Sequence, residues 1–474
     1  MKKRFYLFFC LIFISVIFQG CLGGKEEEEL KIELNISGSQ DLAELENLQK
    51  LVKQQREQLQ ALEQQLKNAE KTKGKSKVST TEIKKLKEQI KEQKNAIVEA
   101  SKKVTTVKVE KGKYVWNMFR SIPSHDFYVG FNILPPLDFK WKFRAGGGFT
   151  ASPIMDDKNI YVGSLDNNFY AIDKSTGQVS WRFSAQGVIS STAALYGGIL
   201  YFGTETGIFY ALTTSGKKIW EKRLGAGIQF SSPAVYANLV YIGSMDKILY
   251  AFDRKTGELV WKYETQGPIA SSPTIANGMV YVGSLDKTMY AIDVDTGKML
   301  WQFQTGNLIF STPAEDSGIL VFGSDDKRLY ALDSMNGAIK WTFPAEGIIS
   351  STPVIKNGVV YFGSNDKNLY ALSLSSGKLL WKVPCEGKIL SAPFIVNNIL
   401  YCAAGKQVVA VDVVTGTLKW SVNYDYQIKT SYMVQFTSLV FQEVTSRNAL
   451  KVSDTCFALF FISFRCKSIF IFIE

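Results

Sequence analysis

The sequence predicts an all-β fold: an eight-bladed β-propeller of four-stranded antiparallel blades, preceded by an α-helical coiled-coil hairpin. Three observations predict the ring. Tryptophan returns every 39 to 41 residues, at Trp141, Trp181, Trp220, Trp261, Trp301, Trp341, Trp381 and Trp420. Each period holds four short strands, and the two ends of the array are complementary fragments of one unit. A fixed period near forty is the mark of one supersecondary unit repeated in space.

The strands are plainest between Ser271 and Phe303. Ser271 to Ala276 reads as a first strand, and Asn277-Gly278 supplies the positive φ angles of a two-residue hairpin turn. Met279 to Gly283 follows as strand two, and Asp286-Lys287 makes the next turn. Thr288 to Asp293 alternates apolar and polar residues as strand three, and Asp295-Thr296-Gly297 turns into Lys298 to Phe303 as strand four. A lone meander leaves two unpaired edges and an unburied face, so copies must pack together. Four strands in forty residues fit a propeller blade, whereas β-helix and leucine-rich repeats are shorter.

The strand count sets the number of blades. Seven complete units end at Trp181, Trp220, Trp261, Trp301, Trp341, Trp381 and Trp420, but Trp141 lies in a fourth strand, Phe139 to Phe143, with no first three before it. Beyond Trp420, Ser431 to Gln442 aligns at an offset of forty with Ser391 to Cys402, and Ala449 to Asp454 resembles Ala410 to Asp412. These stretches predict an eighth blade completed by the Trp141 strand, leaving no free sheet edge. The eight indoles occupy one structural position and read as core packing, each removing about 150 to 250 Å² from water.

The repeated Ala-x-Asp-x-x-Thr-Gly-x-x-x-Trp, at Ala171 to Trp181, Ala251 to Trp261 and Ala291 to Trp301, resembles the tryptophan-docking motif of PQQ-like propeller repeats. The resemblance covers residues 137 to 454. It implies that each tryptophan packs against a glycine turn of a neighbouring blade, the glycines being Gly177, Gly216, Gly257, Gly297, Gly337, Gly377 and Gly416. Blade two carries Thr213 in place of the aspartate, with Thr214-Ser215-Gly216 at the turn, and blade six carries Ser373, so weaker contacts are expected there.

Two branches of that family differ in function. Quinoprotein dehydrogenases use pyrroloquinoline quinone, calcium, a catalytic aspartate and usually a vicinal cysteine pair. Non-catalytic scaffolds are exemplified by the BamB lipoprotein family of outer-membrane β-barrel assembly. No adjacent cysteines occur here and the blades keep one length, without the long loops on which catalytic sites are usually mounted. The expectation is therefore a non-catalytic interaction scaffold with no cofactor, no metal and no catalytic residue, the alternatives being a PQQ-dependent quinoprotein dehydrogenase and a cell-envelope sensor or adhesion module. One histidine, His125, leaves little general-base chemistry near neutral pH. Asp246-Lys247, Asp286-Lys287, Asp326-Lys327 and Asp366-Lys367 put a ring of turns on one face; these are rim-contact candidates whose plainer reading is a solvated hairpin rim.

The N-terminus supplies an address. Met1-Lys2-Lys3-Arg4 precedes an apolar stretch from Phe5 to Phe18, too short for a membrane-spanning helix. Phe18-Gln19-Gly20-Cys21 looks like a bacterial lipobox with Cys21 as the acylated residue. Residues 1–21 are thus read as a lipoprotein signal peptide and the chain as lipid-anchored in the cell envelope, facing the periplasm. Leu22, where an aspartate would mark inner-membrane retention, favours the outer membrane.

Residues 25–111 are expected to be helical. Leu45, Leu48, Val52, Leu59, Leu62, Leu66 and Ala69 hold one heptad register, and Ile83, Leu86, Ile90, Ile97, Ala100 and Val104 another. Lys73 to Ser76 interrupts them, and Ser79 with Glu82 has capping-box spacing. The two segments predict a helical hairpin, with parallel oligomeric helices as the alternative, acting as a spacer or as an arm for partners or self-association. Residues 112–136 read as a linker and 455–474 as an apolar tail of unknown role. The formal charge of +11 is dispersed, which disfavours nucleic acid; the expected partners are proteins, among them the β-barrel assembly machinery that the resemblance implies, and a membrane through the lipid. Spacing leaves open whether Cys385 and Cys402 pair.

Overall fold

The computed structural model describes residues 54, 55, 58, 61, 62, 65, 66, 69, 80–105, 128–129, 138–396, 398–423, 462–463 and 468–473. The expected signal segment, Cys21 and most of the first heptad register lie outside them.

Seven antiparallel sheets follow one another at forty-residue spacing in a propeller-like arrangement, each a meander of four strands in chain order. We number them blades 1 to 7, at residues 154–184, 194–223, 234–264, 274–304, 314–344, 354–384 and 394–423. Blade 4 contains Thr274–Ala276, Met279–Gly283, Thr288–Asp293 and Met299–Gln304. Its first hairpin turns through Asn277 and Gly278 at φ 50° and 58°, a pair that an unbranched polar residue and glycine adopt at least cost. The inner three strands are buried almost throughout, while the fourth alternates exposed and covered residues, as an outermost strand must.

The fourth strand carries a bulge in every blade. In blade 4 the pairing Ala291 with Trp301 steps directly to Ile292 with Met299, so Leu300 is the extra residue. The bulge turns Met299 and Leu300 outward together and leaves Trp301 facing the next blade.

The eighth unit differs from expectation at its C-terminal side. Asp138–Arg144 pairs antiparallel with Ser468–Ile473, which pairs in turn with Ile462–Ser463, a three-stranded sheet among the described residues. Trp141 faces Ile471 with the register stepping at Phe139, the arrangement by which Trp301 faces Ala291. Residues 468–473 therefore hold the third-strand position assigned above to Ala449 to Asp454, and the ring extends past residue 454 into the stretch read as a tail of unknown role. A continuous Phe-Ile run with no turn residues at the expected offset conceals that pairing from the repeat pattern. Ser431 to Gln442 and Ala449 to Asp454 lie outside the described residues.

One apolar cluster holds residues of blade 1 (Ile160, Phe169), of blade 7 (Tyr401, Val408) and Phe143 of the eighth sheet, so first and last repeats share a core. Tyr128–Val129 pairs in parallel with the innermost strand of blade 7.

Ahead of the ring, Thr80–Thr105 is an α-helix that starts one residue after Ser79. The described residues between 54 and 69 are also helical. Gln93 Nε2 donates to the Gln55 carbonyl at 3.0 Å, and Ile90 packs on Leu62, Leu66 and Met335 in the third turn of blade 5. Among the described residues, no helix is long and apolar enough to cross a membrane.

Candidate functional site

The repeated side chains converge in three concentric belts. The outer belt is built by the tryptophans. The turn after each third strand begins with a residue whose side chain accepts the following amides; Asp293 Oδ1 takes the Thr296 amide at 2.8 Å and its hydroxyl at 2.7 Å. The Ser175 hydroxyl, with the Thr176 amide, holds the equivalent Asp173 carboxyl down at about 2. The turn closes on Gly297 at φ 70°. A side chain there would be strained, and its first carbon would lie 2.7 Å from the Trp261 ring.

The same contact recurs around the ring. Gly177 faces Trp141, Gly216 faces Trp181, Gly257 faces Trp220, Gly337 faces Trp301, Gly377 faces Trp341 and Gly416 faces Trp381, each so close that an added carbon would be 2.5–2.8 Å away. Trp420 has no glycine against it among the described residues. The seven indoles from Trp141 to Trp381 also donate across the seam: Trp261 to the Val294 carbonyl at 3.0 Å, Trp301 to Ser334 at 3.0 Å, Trp341 to Leu374 at 2.7 Å. The seam at blade 2, where a weaker contact was expected, has Trp181 donating to Thr214 at 2.8 Å, and the seam at Ser373 has the 2.7 Å bond, so these two are the shortest of the series. A loop hydroxyl, Thr213 Oγ1, accepts the Lys217 amide where an aspartate would otherwise act.

Sequence reasoning missed a second donor on these carbonyls. Tyr281 in blade 4 reaches the Ser334 oxygen at 3.0 Å, and Tyr241 in blade 3 reaches Val294 at 3.1 Å, so one carbonyl takes both lone-pair partners from the preceding blade. The signal was a tyrosine 19 or 20 residues before six of the eight tryptophans, Trp141 and Trp341 being the exceptions.

The second belt is the Asp-Lys rim. Asp286 Oδ2 accepts the Tyr290 hydroxyl at 2.9 Å and the Gln266 and Gly267 amides at 2.8 and 3.1 Å, while Oδ1 accepts the Thr288 amide. Asp246, Asp326 and Asp366 bind Tyr250, Tyr330 and Tyr370 likewise, at 2.8, 2.6 and 2.8 Å. The carboxylates thus tie each second turn to the loop entering the same blade. Burial, reinforced by the Asp286 bond, pushes the Tyr290 hydroxyl up to about 12. Lys247, Lys287, Lys327 and Lys367 occupy exposed turn tips at φ 70–73°, where blade 1 has Asn167 at 68°.

The third belt lines the throat of the ring and was also missed, although Ser-Ser-Pro or Ser-Thr-Pro recurs at offset forty. Ser152 N donates to Thr192 Oγ1 at 2.9 Å, Thr192 N to Ser232 at 3.1 Å, Ser232 N to Ser272 at 3.0 Å and Ser272 N to Thr312 at 3.2 Å. Phe230, Ala270, Phe310 and Leu390 interrupt the hydroxyls on the lumen side. The described lining offers no cation to meet the carboxylates of pyrroloquinoline quinone, and no group of metal-ligating side chains occurs among the described residues. These residues do not fit that cofactor.

The exposed apolar side chains have a pattern of their own. Val179, Ile219, Leu259, Met299, Ile339, Leu379 and Leu418 each stand near the start of a fourth strand, joined by the bulge residues Val260, Leu300 and Leu380; Val414 is the one large exposed apolar residue elsewhere among those described.

Comparison with known proteins agrees with this architecture. The family model of the outer membrane protein assembly factor BamB matches residues 138–229, 210–345, 306–375 and 325–444, well over half of the chain. No curated protein sequence matches it. Among solved structures, BamB from Moraxella catarrhalis is similar at 15% identity and a TM-score of 0.58, over 72% of this chain and 100% of that one. The quinohemoprotein alcohol dehydrogenase from Comamonas testosteroni is similar at 15% identity and 0.60, over 76% and 80%. A europium-containing methanol dehydrogenase is similar at 14% identity and 0.61, over 75% and 91%. At such identities these structures share the fold alone with the chain.

Proposed function

The chain belongs to the BamB propeller family, and from that premise we propose that it is a non-catalytic scaffold of the bacterial cell envelope that binds other proteins, in the assembly of outer-membrane β-barrels. The observation that carries the reading is the apolar edge: ten aliphatic side chains turned outward on the fourth strands. Scattered exposed aliphatics need no account, but exposed apolar residues repeated at the start of the fourth strand in every blade give a partner apolar surface to cover. The polar groups of the motifs support it from the other side, since Asp293 and Asp286 spend their lone pairs within the ring.

An envelope location and a lipid on Cys21 belong to the same proposal and follow from the signal-like N-terminus. Cross-linking and affinity purification of the full chain from membranes tests the reading. Recovery of β-barrel assembly components by the native chain, and their loss from a variant with Leu259, Val260, Met299 and Leu300 changed to serine, is the expected result. Recovery of none removes the assembly role. Dye reduction after incubation with pyrroloquinoline quinone and calcium would instead make the chain a dehydrogenase.

A further inference from the structure

We infer that Cys385 and Cys402 are the two halves of a disulfide that staples blade 6 to blade 7. Both thiols are free in the structure, Cys402 fully buried and Cys385 partly so. They lie 17 positions apart in sequence but on opposite sides of one seam, and one apolar cluster contains them both. Cys385 follows the fourth strand of blade 6, and Cys402 stands in the second strand of blade 7.

The repeat shows what those two positions do elsewhere. The residue two before the Cys385 position meets the residue at the Cys402 position in the next blade: Phe183 and Phe202 have ring centres 6.2 Å apart, Phe303 and Phe322 6.5 Å, and Phe343 and Phe362 6.2 Å. Val383 is that residue in blade 6. Cys385 lies two positions further on the same face of the extended chain, with its Sγ 3.9 Å from the Val383 carbonyl. Where other seams set a small residue beside a large ring, as Ala345 beside Phe362, this one sets two thiols of middle size. Among the described residues, Cys402 Sγ has Ser391 Oγ, at 3.7 Å, and the Ala403 carbonyl for polar company.

The reaction needs an external disulfide as oxidant. The more accessible Cys385 loses its proton and attacks one sulfur of that disulfide, releasing the other as a thiol; Cys402 then loses its proton and displaces the remaining oxidant thiol, leaving the Cys385–Cys402 bond. Two protons leave the protein and one disulfide becomes two thiols. Burial pushes the Cys385 thiol up to about 11 and raises Cys402 further, so the pair forms slowly at neutral pH.

The inference rests on packing, and only its occurrence in the cell rests on the proposed envelope location. Purified full-length protein is incubated with oxidised glutathione at pH 8.5, then alkylated without reduction and digested with trypsin, which cuts at Lys388 between the two thiols. The expected product is residues 383–388 joined to 389–406, lighter than the two peptides by two hydrogens and missing from Cys385→Ser. Oxidation also raises the thermal midpoint of the native chain by several degrees and leaves that of Cys385→Ser where it was. Exhaustive oxidation that yields the two peptides separately, alkylated or joined to other cysteines, overturns the inference. Pairing in the purified protein with free thiols in protein taken from cells would keep the staple and contradict the oxidising location instead.

Discussion

The outer and inner belts of the ring hold the same blades together by unlike means. The outer belt presses an indole on a bare glycine and completes the contact with one hydrogen bond, as Trp261 does on Gly297 and Val294. The inner belt passes a hydroxyl from each blade to the amide of the one before, as Thr312 does for Ser272. Apolar area dominates the first and polar satisfaction the second. The outer contact is therefore strong and intolerant of added volume, while the inner is weaker per seam and intolerant of a lost partner.

The comparison breaks first at the tryptophans. Trp301→Ala, at an 8% exposed position, is expected to cost about 3–5 kcal/mol, because it removes the ring and leaves a cavity. Urea unfolding checks this, and a loss below 1 kcal/mol would show that the indole belt is not the main clamp.

Gly297→Ala comes next, at about 2–4 kcal/mol. The left-handed backbone contributes about 1–2 kcal/mol of that and the crowding against Trp261 the remainder. Gly358→Ala shares the positive φ, at 72°, with open space where the added carbon would go, so the difference between the two variants isolates the crowding. Thr312→Val tests the inner belt by leaving the buried Ser272 amide unpaired at constant shape, for about 1–3 kcal/mol.

The rim sharpens the comparison through pH. Burial works to raise the Asp366 carboxyl, but the Tyr370 and Asn368 hydrogen bonds outweigh it and hold it below its ordinary 3.8. Its contribution is complete above that value and is lost as pH falls below it. Tyr290, raised to about 12, contributes fully below its ordinary 10 and loses that contribution as pH climbs from there towards 12. The thermal midpoint should therefore decline at both ends, and replacing Tyr290 by phenylalanine should remove part of the alkaline decline. The smallest effect belongs to Lys287→Asn, which copies Asn167 of blade 1 and should change stability by less than about 0.5 kcal/mol.

Most of the ring was legible in the sequence because its spacing is kept by bulky residues. An indole about every forty positions and a glycine 35 to 37 after seven of them are visible without coordinates. The throat was not, because serine and threonine are common and their hydroxyls gain meaning only when six blades bring them to one axis. The doubled use of carbonyls such as Ser334 was hidden for a similar reason: a tyrosine within a buried strand reads as core, and its hydroxyl's destination lies 53 residues away. The partner of Trp141 was misplaced because Ser468–Ile473 keeps the strand and discards the repeat's punctuation.

The pairing of Asp138–Arg144 with Ser468–Ile473 has a consequence for biogenesis. A chain emerging from a ribosome or a translocon delivers its amino-terminal portion first, so the leading strand of this sheet waits with an open edge until nearly every other residue has followed. Blades 1 to 7 can each form on the way, but the circle is sealed only once Ser468–Ile473 has followed them. Loss of that strand, by a stop codon or a protease, would leave a crescent instead of a ring.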